Sequence, residues 1–98
     1  MSARFQQLSE IDRTIHEPAR LMIVSILSAV DEADFQYLHQ LTRLTKGNLS
    51  VHLSRLERAG YIEIEKSFRG KYPLTVCRMT RRGIEVFESY RRVLKAAL

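Results

Sequence analysis

Ninety-eight residues suffice for one domain with its own core and no staples. A hydrophobic content of 45% and a charged content of 28% are globular values, which exclude a disordered chain, and no apolar run reaches the length of a membrane span. The single cysteine, Cys77, excludes an internal disulfide, and the Met1-Ser2-Ala3-Arg4 opening excludes a signal peptide, so a cytoplasmic location is expected.

The net charge of +5 is unevenly placed. Residues 1–45 carry four Lys and Arg against six Asp and Glu, a net of −2; residues 46–98 carry twelve against five, a net of +7. A localised basic half is the electrostatic footprint of a polyanion binder, though basic domains also meet acidic proteins or membrane surfaces.

Residues 1–17 are polar with apolar Phe5, Leu8, Ile11 and Ile15 at partial helical spacing. This pattern predicts a tail leading into a short helix, with Ile11 and Ile15 docking on the body or on a second subunit. Glu17-Pro18 has the chemistry of a helix start, because proline at the first helical position gives up an N–H that has no partner there. The run to Val30 is apolar on most sides through Leu21, Ile23, Val24, Ile26 and Leu27. Such a helix is buried on more than one face and is the expected central core helix, Pro18 to Val30. An acidic loop, Asp31-Glu32-Ala33-Asp34, ends it, and Phe35 is expected to begin an extended bridge with its ring inward.

The next helix is predicted over Tyr37 to Leu44, with apolar Tyr37, Leu38, Leu41 and Leu44 at helical spacing. Thr45 follows as an N-cap, its hydroxyl able to accept from a free backbone N–H of the first turn. A second helix then runs to about Ala59. Its Leu49, Leu53 and Leu56 form one narrow apolar stripe, and Gly60 ends it in the left-handed conformation that glycine tolerates. Two short helices so joined form a helix-turn-helix, whose second helix can enter a DNA major groove. At about 100° per residue, Gly47, Asn48, Val51, Ser54, Arg55 and Arg58 fall opposite the leucines. This outer face holds no acidic residue. Asn suits adenine, Arg suits guanine and a small apolar group suits the thymine methyl. The plainer reading of the same face is a solvated helix surface.

After Gly60 the period changes to two. Tyr61 to Phe68 alternates as a half-buried strand, Arg69-Gly70-Lys71-Tyr72-Pro73 reads as a turn, and Leu74 to Met79 reads as a second strand. The hairpin carries Lys66, Arg69 and Lys71 near its tip. After a helix-turn-helix it is a wing able to reach phosphates or a minor groove; the alternative is a plain surface hairpin guarded by edge lysines. Thr80 caps the last helix, which Gly83 weakens slightly. Two adjacent apolar stripes follow, one through Ile84, Phe87 and Leu94, the other through Val86, Tyr90 and Val93, with Ala97 and Leu98 at the end. One stripe can pack on the domain and the other would be exposed in a monomer, so a homodimer is expected through this helix, its interface drawn from Ile84, Phe87, Tyr90, Val93, Leu94 and Leu98.

Taken in order, Thr45-x-Gly47-Asn48-Leu49-Ser50, His52-Leu53, Leu56-Glu57, Ala59-Gly60-Tyr61-Ile62, Lys66, Phe68-x-Gly70, Pro73-x-Thr75 and Thr80-x-x-Gly83 resemble the core of compact winged-helix transcriptional regulators. These belong to the broad grouping of the MarR (multiple-antibiotic-resistance) and ArsR (arsenic-resistance) repressors, and the resemblance covers residues 18 to 98. It implies a mainly α fold with a small β-hairpin, that is, an α+β winged helix-turn-helix with a long C-terminal dimerisation helix. It also implies a cytoplasmic prokaryotic regulator. The chain is shorter than typical MarR proteins, whose longer helices surround a ligand pocket, and it lacks the paired-cysteine metal motif of many ArsR sensors. No motif here supports a small-molecule or metal inducer.

The expected organisation is therefore a single domain, 1–98, with an arm over 1–17, core and wing over 18–80, and a dimerisation helix over 81–98. Its expected partner is double-stranded DNA, bound as a homodimer without a membrane or cofactor. Asn48, Val51, Ser54 and Arg55 are the base-edge candidates. Thr45, Lys46, Ser50, Arg58, Lys66, Arg69 and Lys71 are the phosphate and wing candidates. The rival readings are a winged-helix protein-interaction module and a non-specific DNA coat. His16, His39 and His52 have no metal-ligand spacing, and His52 reads as a hydrogen-bonded structural histidine. Cys77 lies beside Arg78, which could activate it, but reads as an inert, semi-buried thiol. No catalytic constellation is present.

Overall fold

The computed structural model describes residues 3–98; Met1 and Ser2, half of the opening on which the expectation of no signal peptide rests, lie outside the described residues. A short helix α1 (Ala3–Gln7) runs into a single 3-10 turn, Leu8–Glu10, and an irregular link. The order is the reverse of the expected tail-then-helix. The link is fastened rather than loose. Ile15 is fully buried, and the Asp12 carboxylate accepts from the Ile15 amide at 2.9 Å and from the Tyr61 hydroxyl.

Helix α2 (Pro18–Ser28) starts at proline, and Glu17 caps it by accepting from the Ala19 and Arg20 amides at 3.0 and 2.9 Å. It ends two residues before the expected Val30 and buries Ala19, Arg20, Ile23, Val24 and Leu27. The extended bridge is strand β1 (Ala33–Asp34), and Phe35 is already helical. Asp34 accepts from the Tyr37 amide at 2.8 Å and so starts α3 (Phe35–Thr42) two residues earlier than predicted. The frame of that helix differs accordingly: Leu38 and Thr42 are its buried residues, while Tyr37 and Leu41 are exposed. Arg43 closes α3 in the left-handed region, φ 60°.

Helix α4 (Lys46–Arg58) has both of its expected ends. Thr45 Oγ1 accepts from the Asn48 amide at 3.1 Å. At the other end Gly60 has φ +83°, its N–H donates to Glu57 O at 2.9 Å, and the Tyr61 N–H donates to Leu56 O at 3.0 Å. This paired bonding satisfies two carbonyls the helix leaves open and turns the chain into the sheet.

Strands β2 (Ile62–Arg69) and β3 (Tyr72–Met79) pair antiparallel from Ile62↔Met79 to Arg69↔Tyr72. The turn is two residues, Gly70-Lys71, not five, with Gly70 at φ +62° in the first central position, as a hairpin of this length prefers. The sheet order is β1-β3-β2, with β1 paired only to Cys77 and Val76. Helix α5 (Arg81–Ala97) closes the fold, capped by Thr80 Oγ1, which accepts from the Gly83 amide at 2.9 Å. Leu49, Leu53 and Leu56 of α4 join Ile23, Val24 and Leu27 of α2, Leu38 of α3, and Ile62 and Cys77 of the sheet in one core.

The last helix corrects one expectation. Phe87 and Tyr90, placed beforehand at a subunit interface, are 7% and 3% exposed and belong to the chain's own core. Gly83 likewise faces inward for a reason that helix propensity does not convey. A Cβ there would lie 2.0 Å from the Tyr61 carbonyl oxygen, so only glycine lets α5 approach the start of β2 this closely.

Candidate nucleic-acid interface

Every residue predicted to touch DNA is exposed: Thr45, Lys46, Asn48, Ser50, Val51, Ser54, Arg55 and Arg58 on or next to α4, and Lys66, Arg69 and Lys71 on the wing. The local reason is the narrow leucine stripe. Leu49, Leu53 and Leu56 are 0–3% exposed, and anchoring them turns the opposite side of the helix outward. Val51 stands out at 52% exposure. A β-branched side chain left half open on this face is suited to contact with a thymine methyl. The Thr45 hydroxyl already accepts from the Asn48 amide, and its proton remains available to a phosphate oxygen.

Two exposed aromatics on the wing were not singled out from sequence, Phe68 at 72% and Tyr72 at 77%. Alternation assigned Phe68 to the core face, and it does share that face with Ile62 and Ile64. The hairpin, however, runs past the edge of the core, so its outer positions have nothing to pack on. Arg43, in the turn of the helix-turn-helix, is a further exposed cation beside α4.

Behind the outer face, His52 is a structural residue. Its Nδ1 accepts from Arg20 Nη1 at 3.1 Å and lies 3.6 Å from Glu17 Oε2. Arg20 is only 8% exposed; it also donates from Nε to the Thr14 carbonyl at 2.5 Å and lies 3.7 Å from Glu17. A buried guanidinium is tolerable only with such partners. Partial burial works against the Glu17 carboxylate, but the Arg20 and Ala19 amides and the Arg20 charge outweigh it and hold its pKa below the usual glutamate range. His16 Nδ1 shares a 2.9 Å hydrogen bond with the Tyr90 hydroxyl. Ties therefore run from α5 through the arm to α4.

Cys77 is fully buried, and burial, reinforced by Glu57, pushes its thiol up to about 11 against the pull of Arg78. The Arg78 guanidinium is engaged elsewhere, 2.8 Å from Glu32, 3.5 Å from Glu65 and 3.8 Å from Glu63. The adjacent charge thus does not activate the thiol. No helix among the described residues is long and apolar enough to cross a membrane.

The sequence profile of the winged helix DNA-binding domain family matches residues 19–98. The chain belongs to that family. An uncharacterized protein of Methanocaldococcus jannaschii is 34% identical over 71 residues, 72% of this chain and 77% of that one. A transcriptional regulator homologue from Pyrococcus horikoshii OT3 superposes with a TM-score of 0.87 at 28% identity, over 97% of this chain and 93% of its own. A MarR family regulator from Silicibacter pomeroyi superposes at 0.67 with 18% identity, over 96% of this chain and 60% of its own. An ArsR family regulator superposes at 0.60 with 19% identity, over 98% and 94%. The winged helix and its kinship in fold with the MarR and ArsR regulators are as the sequence pattern implied, and the protein is a winged helix DNA-binding domain.

Proposed function

We propose that this winged helix is a sequence-reading transcriptional regulator that engages double-stranded DNA as a homodimer. The observation that carries the reading is the outer face of α4. Asn48, Val51, Ser54 and Arg55 are all exposed, free of acidic neighbours on that face, and carried on a helix fixed at both ends by its own caps. A rigid helix presenting an amide, a hydroxyl, a methyl surface and a guanidinium matches the donor and acceptor pattern of the major groove. Thr45, Lys46, Ser50 and Arg58 flank this set as phosphate contacts, and Lys66, Arg69 and Lys71 extend the positive surface along the wing.

The dimer reading rests on what α5 leaves uncovered. With Phe87 and Tyr90 turned into the core, Ile84 is 45% exposed and Leu98 is 94% exposed, while Val93 and Leu94 are half-buried. Leu94 and Leu98 line a shallow concavity of about 420 Å³ on the outer half of the helix. A second copy covering this strip would set two recognition helices on half-sites about one DNA turn apart.

The deciding experiment is selection from a random duplex pool at about 150 mM salt, where exposed charges are well screened. The expected product is a two-fold symmetric motif; recovery of DNA without a motif, or of none, overturns the reading. On the selected duplex, Arg55→Ala should cost about 1–3 kcal/mol and relax preference at one base pair. Lys71→Ala should weaken all sequences alike and flatten the salt slope by about one.

A further inference from the structure

A cleft of about 400 Å³ opens between the arm and the C-terminal end of α4, lined by Arg13, Thr14, Arg20, Arg55, Arg58 and Ala59. Four of its six lining residues are arginines and none is acidic. The four differ in what they are free to do. Arg20 is buried and fully engaged with the Thr14 carbonyl, His52 and Glu17, so it forms a fixed positive floor. Arg13, Arg55 and Arg58 are exposed and have no hydrogen-bond or ion-pair partner among the described residues.

Nothing in the domain's own packing requires this convergence. Arg13 reaches the cleft only because Ile15 and Asp12 clamp the arm onto the body. The Glu17 carboxylate beside Arg20 is held by the α2 amides and by Arg20. Three unpaired guanidinium groups around one concavity repel one another and favour an anion that can bridge them. Guanidinium forks bind phosphate oxygens in pairs, and a group with two negative charges offsets three cations better than a single carboxylate does.

We propose that this cleft is a phosphate-binding site, with Arg13 and Arg58 as its movable ligands, Arg20 as its fixed floor and Arg55 at its rim, adding positive charge while its guanidinium reads a base edge when DNA is bound. Two sources share this chemistry: a backbone phosphate of bound DNA, and a free phosphorylated molecule. Only the first rests on the DNA-binding reading above.

Pyrophosphate serves as the probe, titrated calorimetrically into the full chain at an ionic strength held constant with sodium chloride. Saturable one-site binding is expected. It should weaken at least fivefold in Arg13→Gln and again in Arg58→Gln, but stay at wild type in Arg92→Gln, which removes one equal charge from the far end of α5. Arg13 is exposed and its substitution leaves the core intact. In parallel, the salt dependence of duplex binding is measured for wild type and Arg13→Gln. A slope lowered by about one in Arg13→Gln identifies the DNA backbone as the source. An unchanged slope with lost pyrophosphate binding identifies a free phosphorylated ligand. Pyrophosphate binding that is absent, or equal in wild type, Arg13→Gln and Arg92→Gln, together with an unchanged slope, overturns the proposal. If the wild type binds no duplex at all, the DNA reading fails while the pyrophosphate titration still decides the cleft.

Discussion

Gly83→Ala tests the closest backbone approach in the molecule. A Cβ at position 83 would sit 2.0 Å from the Tyr61 oxygen, 2.8 Å from its carbonyl carbon and 3.0 Å from its Cα. These are backbone atoms and cannot swing aside, so α5 must recede from β2 by about 1 Å or more to reach even the tightest tolerated contact. The same oxygen accepts from the Thr80 amide at 3.0 Å, and Thr80 Oγ1 donates to Gly60 O at 2.6 Å, so the retreat strains the cap and the turn together. Overpacking costs about 1–3 kcal/mol and each weakened hydrogen bond about 1 kcal/mol, against a gain of about 1 kcal/mol from alanine's helix propensity. The net expectation is a loss of about 2–4 kcal/mol, a large share of a typical domain's stability. Urea unfolding followed by circular dichroism measures it as a lower midpoint at unchanged slope. Gly47→Ala is the control: it lies in the first turn of α4 with nothing within 4 Å of the added atom, and should gain up to about 1 kcal/mol. If Gly83→Ala were as stable as wild type or more so, the close approach would not constrain α5.

Two further expectations concern stability. Burial and the hydrogen bond to Asp12 raise the Tyr61 hydroxyl from 10.0 to about 12, so its contribution is complete below pH 10 and is lost as pH rises from about 10 to 12. Tyr61→Phe should lower stability by about 1.5–3 kcal/mol at neutral pH, the range for a hydrogen bond to a charged partner. It should also remove the Tyr61 part of the alkaline loss; equal alkaline slopes in urea titrations of the two proteins would contradict the assignment. Arg43→Gly should raise the thermal midpoint, with a gain of up to about 1 kcal/mol, because an L-residue at φ 60° carries strain that glycine does not. A lowered midpoint would show that the Arg43 side chain stabilises the turn by more than its backbone costs.

The parts of this fold that were readable in sequence are those fixed within a few residues. Thr45 and Gly60 bracket α4 through bonds that span three to five positions, and the leucine stripe fixes which face is outward. The Asp34 cap is equally local, and grouping Asp34 with the acidic loop concealed it, shifting the predicted α3 by two residues. Pro73 read as a breaker but sits inside β3. It faces Phe68 one pair in from the turn, in the pair type that exchanges no ladder bonds, so its missing N–H points away from β2. On the outer side β1 reaches only Cys77 and Val76, so no ladder bond is lost there. What could not be read is tertiary. Helical period on α5 yields two stripes and does not say that Phe87 and Tyr90 point inward. Nothing near Arg13 in sequence announces that the arm folds back to set it beside Arg55 and Arg58.

The fold-back also bears on how a dimer would read DNA. The His16–Tyr90 bond joins the arm to α5, the Arg20–Thr14 bond joins the arm to α2, and the Arg20–His52 bond joins α2 to α4. With Ile15 fully buried between them, these ties leave α4 little freedom to swing relative to α5. In a dimer closed through α5, the separation and relative rotation of the two recognition helices are then nearly fixed, and one half-site spacing should be strongly preferred. Inserting one base pair between half-sites rotates one of them by roughly 35° on a duplex of about 10–10.5 base pairs per turn. A rigid pair cannot follow that rotation, so gel-shift affinity should fall at least tenfold. Breaking the tie in Arg20→Met, where a long apolar side chain keeps the packing, should narrow the gap between the two spacings. Equal affinity for both spacings in the wild type would mean that the polar ties do not hold the recognition helix in register with α5.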